Sequence, residues 1–154
     1  MIALSYDLHL HSCLSPCGDD DMTPANIVGM AAVMGLELIA LTDHNSAKNC
    51  PAFLKMAEEY GILALPGMEL TTEEEVHVVC LFSELDAAMA FDEYVYAHLQ
   101  PFLNEEAIFG KQQIYNENDE VIGKVENLLI NATNISFDEV YDLVEKYGGV
   151  MIPA

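Results

Sequence analysis

Apolar runs that fit short β-strands alternate with segments that fit α-helices along most of this chain, and this order constrains the fold most. Strand patterns cover residues 2–10, 36–42, 62–66 and 75–82, and another begins at residue 149. Helix patterns, bounded by Thr, Ser or Pro at their starts and by Gly or Pro at or beyond their ends, cover residues 23–35, 51–61, 83–99 and 136–148. The order predicts crossover connections and a mostly parallel α/β sheet, either doubly wound or closed into a barrel.

One stretch does not follow this alternation. Residues 101–135 show no clear period and are strongly polar around residues 116–120. They are expected to form an inserted loop or hairpin region within a single domain that covers residues 1–154.

Composition limits the class of protein. The 154 residues are 52% apolar, which suits one domain with a sizeable core. No apolar run approaches the ~20 residues that cross a membrane. The N-terminus is too short and too polar to act as a secretory signal. These features predict a cytoplasmic protein with no membrane contact and with reduced cysteines.

The charge balance limits the partners. The chain carries 26 acidic and five basic side chains, all five of them lysine, for a net charge of −21. Such a surface repels a polyanion, so a sequence-independent grip on long nucleic acid is not expected. If the protein handles phosphate, bound divalent cations are the obvious source of positive charge.

Histidines and carboxylates gather at the predicted strand ends. His9 and His11 lie two residues apart on the first strand, so their imidazoles share one face. The other candidates lie near or beyond the strand ends that lead into helices, where parallel α/β folds carry their chemistry: Asp19, Asp20, Asp21, Asp43, His44, Glu69 and His77. Imidazole nitrogen and carboxylate oxygen are the usual ligands of zinc, manganese and iron. Glu69 could bridge two ions, which could polarise a phosphoryl oxygen and generate a hydroxide nucleophile.

Each of these residues also has a purely structural interpretation. His77 alone fits a hydrogen-bonded core residue, Asp43 alone fits a turn or cap, and the aspartates at 19–21 alone fit a solvated loop. His98 falls within a predicted helix, where we expect a surface or packing role. It is the joint occurrence of the other residues at one end of the strands that favours a metal site.

The cysteines leave an alternative open. Cys13 and Cys17 are spaced C-x3-C after the first strand and Cys50 lies in another loop, so three thiolates could form a metal site of their own. The loose spacing and the lack of an obvious fourth thiolate argue against it. Cys80 is expected to be buried on a strand. Cys13 and Cys17 lie near the histidines along the chain, where they either pack the loop or make the site sensitive to oxidation.

Five motifs in order resemble the PHP family, the polymerase and histidinol phosphatase domain. They are D-L-H-L-H-S at 7–12, D-M-T-P at 21–24, L-T-D-H-N at 41–45, P-G-M-E at 66–69 and V-H-V at 76–78. The resemblance covers the whole chain. It implies a distorted seven-stranded β/α (TIM-like) barrel with two or three divalent metal ions at the C-terminal ends of its strands. Members include histidinol phosphatases, nucleotide phosphoesterases, exonucleases and polymerase proofreading domains.

The resemblance also implies a set of ligands. His9 and His11 match the pair that holds a first ion, Glu69 matches the bridge to a second ion, and His77 matches a ligand of that second ion. His44 and a loop aspartate match ligands of a third. Asp43 matches the residue beside that histidine, which supports the ligands or handles protons.

Two departures from the family pattern stand out. The loop after His11 has two additional residues, and counting back from Thr23-Pro24 selects Asp19 as the loop ligand. The family also expects a later histidine and a final D-x-H, whereas this chain ends in GGVMIPA. We therefore expect roughly the first two-thirds of the domain, without its last strands. Two exposed sheet edges would then favour a homo-oligomer.

The leading hypothesis is a metal-dependent phosphoesterase that hydrolyses small phosphomonoesters or nucleotides through a metal-activated water. The alternatives are a metal-binding regulatory module without turnover and an inactive, truncated fragment.

Overall fold

A five-stranded mixed sheet organises residues 3–154, the part of the chain that the computed structural model describes. Its strands are β1 (Tyr6–Leu10), β2 (Leu38–Leu41), β3 (Leu63–Thr71), β4 (His77–Phe82) and β7 (Gly149–Pro153), in the spatial order β1-β2-β3-β4-β7. The pairs β1–β2 and β2–β3 are parallel, whereas β4 runs antiparallel to both β3 and β7.

The helices are α1 (Pro24–Met34), α2 (Cys50–Tyr60), α3 (Leu85–His98), α4 (Glu106–Phe109) and α5 (Phe137–Lys146). The boundaries of α1 agree with the sequence signals, because Thr23 caps its start and Gly35 ends it at φ 71°. A capping box of Ser136 and Glu139 is present at the start of α5, where the sequence predicts a helix from residue 136. Helix α3 differs, since its N-cap is Glu84 rather than the expected Ser83.

Between α4 and α5, a small antiparallel pair stands apart from the main sheet. It consists of β5 (Gln113–Tyr115) and β6 (Val121–Lys124) and lies within residues 101–135. Gln112 anchors this region, because its side chain donates to the carbonyl oxygens of Val125 and Asn127 and accepts from the amide of Leu129.

The main core is formed by apolar side chains of the helices and the sheet. Phe53 of α2, Phe82 of β4 and Phe91 of α3 are almost completely buried in it. The rings of Phe82 and Phe91 lie 5.1 Å apart. Large apolar side chains of this kind contribute most of the free energy that stabilises a domain of this size.

The α/β class is confirmed, but the expected seven-stranded barrel is not formed by residues 3–154. The sheet is open, and β1 and β7 are its edges. The sheet is also mixed rather than parallel, because a tight turn at residues 72–76 joins β3 to β4. A parallel neighbour would need a crossover helix, whereas this turn forces β4 to run back antiparallel.

No helix of residues 3–154 is long and apolar enough to cross a membrane.

Gly67 of β3 lies close to the backbone of β4. A Cβ atom at Gly67 would lie 2.5 Å from the backbone oxygen of Cys80. We expect Gly67→Ala to lower the free energy of unfolding by about 1–3 kcal/mol, because the strands must move apart. Gly29 of α1 is a matched control with open space around its Cα, and Gly29→Ala should raise stability by about 0.5–1 kcal/mol. Urea unfolding measures both, and equal effects of the two changes would contradict this expectation.

Candidate metal centre

Four imidazoles surround the carboxylate of Glu69, which is 5% exposed. Its Oε2 lies 3.3 Å from His9 Nε2, 3.1 Å from His11 Nε2 and 3.3 Å from His44 Nδ1. Its Oε1 lies 3.1 Å from His77 Nδ1. One carboxylate therefore presents its two oxygens to different sets of nitrogen donors.

Backbone pairing beyond the end of β2 places His44 beside Glu69. The amide of Asn45 donates to the carbonyl of Glu69 over 3.0 Å, and the amide of Glu69 donates to the carbonyl of Asp43 over 3.0 Å. This parallel bridge fixes the register of His44 against β3. Glu69 thus lies within β3, whereas the sequence pattern predicts a strand that ends at residue 66, before Glu69.

The antiparallel pair β3–β4 places His77. Thr71 of β3 lies opposite His77 of β4. Residues two apart on a strand share a face, so Glu69 and His77 are diagonal neighbours on one face of the sheet. His77 begins β4 and is partly exposed, so it is not the buried core histidine that its apolar neighbours would allow.

The rings of the four histidines form a continuous row. Ring centroids lie 5.1 Å apart for His9 and His11, 4.7 Å for His11 and His44, and 5.3 Å for His44 and His77. His98 lies outside this row at the end of α3. Its Nδ1 is 2.7 Å from the carbonyl oxygen of Tyr94, which agrees with the expected packing role.

The electrostatics of the metal-free cluster follow from burial and close contacts. Burial and the neighbouring His11 lower the pKa of His44 to about 4. Burial raises the pKa of Glu69, but the hydrogen bond from His11 and other contacts outweigh it and bring the pKa to about 2. Burial lowers the pKa of His11, but contacts with Cys17 and Glu69 outweigh it and raise the pKa to about 10. Glu69 is therefore ionised and His44 neutral near neutral pH, as metal ligation requires.

His44 provides a test of whether a metal ion fits. Its Nδ1 is buried and, although it lies 3.3 Å from Glu69 Oε2, no hydrogen bond forms to it within residues 3–154. A buried polar atom without a partner is costly, and an ion at this position would satisfy it. The donors also suit zinc, manganese or iron, and they fall into three overlapping groups with ligand atoms within 4.8 Å of one another: His9, His11 and Glu69; His44, Glu69 and His77; His11, Cys17 and His44.

Asp43 supports this cluster without facing it. Its buried carboxylate accepts hydrogen bonds from the Ser12 amide (2.7 Å), the Ser12 hydroxyl (2.7 Å) and the Ser15 hydroxyl (2.6 Å). Burial raises the pKa of Asp43 despite these donors. The hydrogen bonds of Asp43 go to Ser12 and Ser15, and its supporting role stays a prediction.

The Ser15 hydroxyl forms hydrogen bonds with both Asp43 and His11. Its one proton is donated to Asp43, so it can only accept from its other neighbours, which are the amide of His44 at 3.1 Å and Nδ1 of His11 at 3.2 Å. His11 therefore carries a proton on Nδ1, and its Nε2 points to Glu69 as the ligand atom.

The loop aspartates do not join the cluster. Asp19 is exposed, and its Oδ1 accepts from the amide of Asp21 over 3.1 Å. Asp20 lies 3.7 Å from the ammonium of Lys111. In residues 3–154 the loop residue that reaches the histidines is Cys17.

The three-thiolate alternative is not formed either. Cys13, Cys50 and Cys80 are buried, and Cys17 is exposed. Burial raises the pKa of Cys13 to about 12, so that thiol stays protonated.

Sequence reasoning missed the polar residues that hold the site in place. Asn45 is buried at φ 48°, a conformation that asparagine tolerates better than most residues. Its Nδ2 donates to the carbonyl oxygens of Leu129 and Asn131, and its Oδ1 accepts from the amide of Thr71. The available signal was a polar residue directly after the buried strand and His44.

Removal of the Asp43 carboxylate should loosen the cluster. We expect Asp43→Ala to lower the free energy of unfolding by about 1–3 kcal/mol, because buried donors of Ser12 and Ser15 lose their acceptor. It should also weaken zinc binding about 10–100-fold. Asp142→Ala, at an exposed position of α5, is the control. Wild-type stability and zinc affinity in Asp43→Ala, from urea unfolding and calorimetry, would contradict the supporting role.

Metal affinity should also depend on pH. His11 has a pKa of about 10 in the metal-free protein, so a proton competes with the ion at any lower pH. We expect the apparent affinity for zinc to rise from about pH 6 to about pH 8, by up to about tenfold per pH unit for each proton displaced. Calorimetric titration at several pH values measures this, and an affinity that is independent of pH would refute it.

Two known proteins resemble part of this chain in sequence. An uncharacterised protein of Methanocaldococcus jannaschii is 30% identical over 98 residues, which is 58% of this chain and 57% of that protein. A 5′-3′ exoribonuclease of Haemophilus influenzae is 34% identical over 79 residues, 49% of this chain and 28% of the enzyme. The chain thus matches 57% of the length of one relative and 28% of the other, less than two-thirds of either.

A solved structure resembles the fold over nearly the whole chain. It is that of a proposed metal-dependent phosphoesterase of Bifidobacterium adolescentis, with a TM-score of 0.64, 19% identity, and coverage of 99% of this chain and 67% of the other. The sequence profile of the PHP domain matches residues 7–153. The motifs, the cluster around Glu69 and this match agree, and the chain belongs to the PHP domain family.

Proposed function

We propose that this chain is a metal-dependent phosphoesterase that hydrolyses small phosphomonoesters or nucleotides. The observation that carries the proposal is the ionised carboxylate of Glu69 between four imidazoles. Bound divalent ions would supply the positive charge that stabilises a phosphoryl transition state and would lower the pKa of the attacking water.

The ligand groups indicate which residues would hold the ions. His9, His11 and Glu69 form one group, and His44, Glu69 and His77 form another. Glu69 is common to both, and its two oxygens face different histidines, which is the arrangement of a bridging carboxylate. Zinc, manganese and iron all suit these donors, and we propose two or three ions per chain.

The charge of the protein supports a small substrate. Four of the five lysines lie within 4.0 Å of a carboxylate: Lys48 with Asp92, Lys55 with Glu58, Lys111 with Asp20, and Lys124 with Glu106 and Glu126. With a net charge of −21, the chain offers little attraction for a long polyanion. A small phosphate ester needs only the charge that the ions supply.

Nuclease activity is the second candidate. It is favoured by the 34% identity to the Haemophilus influenzae exoribonuclease over the segment that the two proteins share. A short oligoribonucleotide as substrate therefore belongs in the same experiment.

A change of Glu69 tests the function. We expect Glu69→Gln to lose bound metal and to lower kcat/KM for p-nitrophenyl phosphate by more than about 100-fold. Mutation of a residue that only hydrogen-bonds to a metal ligand already lowers metal affinity or activity about 10–100-fold. Glu73→Gln, an exposed glutamate in the turn after β3, is the matched control and should behave as the wild type. Metal content is measured by inductively coupled plasma mass spectrometry after loading with zinc, manganese or iron.

The outcomes separate the candidate functions. Cleavage of the oligoribonucleotide alone would favour the nuclease. Metal binding without cleavage of any substrate would favour a metal-binding regulatory module. Unchanged turnover in Glu69→Gln would refute the metal-dependent assignment.

A further inference from the structure

The loop between β1 and α1 turns back over the histidines. The amide of Ser15 donates to the carbonyl of Ser12 over 3.0 Å, and the amide of Gly18 donates to the carbonyl of Ser15 over 2.8 Å. These two consecutive turns carry Cys17 from the end of β1 towards the cluster.

Gly18 makes this path possible. A Cβ atom at Gly18 would lie 2.1 Å from the carbonyl oxygen of Ser12, so no larger residue fits there without moving the loop. Asp43 holds the other side of the same loop through Ser12 and Ser15. The backbone of Cys17 is therefore constrained before it by Ser15 and after it by Gly18.

The thiol of Cys17 meets two nitrogen donors. Its Sγ lies within 4.8 Å of a ring nitrogen of His11 and of a ring nitrogen of His44. His44 is 5% exposed, and its Nδ1 has no hydrogen-bond partner within residues 3–154. Three donors of metal-binding type thus lie within 4.8 Å of one another, and the buried one, His44, has a ring nitrogen without a hydrogen-bond partner, 3.3 Å from Glu69 Oε2.

We propose that the Cys17 thiolate is a ligand of the metal centre, beside His44, in the place where the sequence led us to expect Asp19. This inference rests on the proposed metal centre. The Cys17 group overlaps the other two, because His11 is shared with His9 and Glu69, and His44 is shared with Glu69 and His77.

A sulfur ligand changes the metal preference of the centre. Thiolate and imidazole together favour zinc or ferrous iron, whereas manganese and magnesium prefer oxygen ligands. Cys17 thus makes one site of this chain selective for zinc or ferrous iron in a cluster whose other ligands are histidine and carboxylate.

Cobalt(II) is a direct probe, because it takes zinc sites and reports its ligands in the absorption spectrum. Binding to the histidines and Glu69 produces visible d–d bands, and a sulfur ligand adds a near-ultraviolet charge-transfer band. We expect both in the wild-type chain. Cys17→Ser should lose the charge-transfer band and keep the d–d bands. Cys13→Ser, which removes the neighbouring buried thiol, is the matched control and should keep both.

Each result decides the proposal. Visible bands without a charge-transfer band in the wild type would overturn the role of Cys17 and leave the histidine–carboxylate centre intact. Absence of all bands would overturn the metal centre as well. A charge-transfer band that survives in Cys17→Ser and disappears in Cys13→Ser would identify Cys13 as the sulfur ligand and overturn the proposal.

Metal competition gives an independent measurement. Cys17→Ser should weaken zinc binding at this site by more than about tenfold and change manganese binding little. Equal losses for both metals, or no loss for zinc, would overturn the proposed selectivity.

Discussion

The buried negative charge of Glu69 is the constraint on which the site depends. A carboxylate that is 5% exposed is costly to bury unless donors or cations surround it. Here the surrounding groups are four imidazoles, each 3.1–3.3 Å from one of its oxygens. They come from β1 and the residue just beyond it, from the segment after β2 and from β4, so the sheet must hold its register for the charge to be tolerated. The same arrangement suits divalent ions, so the imidazoles that stabilise the buried carboxylate are also the groups that would bind metal.

The support behind the cluster is polar and buried. Asp43 fixes Ser12 and Ser15, and Ser15 in turn orients His11. Asn45 ties the segment beside Glu69 to the carbonyl oxygens of Leu129 and Asn131. The side-chain oxygens of Asp43 and the side-chain amide of Asn45 all have hydrogen-bond partners, so these residues hold the ligands in one geometry. The sequence patterns pointed to Asp43 but not to the serines or to Asn45, because small polar residues are common in loops of many functions.

Local sequence signals predicted the elements better than their assembly. The start and end of α1 and the start of α5 depend on a few neighbouring residues, and these predictions were correct. The direction of β4 was missed, because strand pairing depends on the turn at residues 72–76 and on partners far along the chain. That direction makes the sheet of residues 3–154 mixed, and the sheet is open because its edge strands β1 and β7 do not pair with each other.

The sequence by itself determined the chemical identity of the site: histidines spaced for one face of a strand, Asp43 and His44 directly after another, and motifs that match the PHP domain. It could not decide which side chain of the loop at residues 12–21 reaches the cluster. Three aspartates and two cysteines were candidates by chain distance, and only the turns that Gly18 allows bring Cys17 to the histidines while Asp19 remains in solvent. Loop paths depend on close backbone contacts and buried hydrogen bonds, and these exist only once distant residues such as Asp43 are in place.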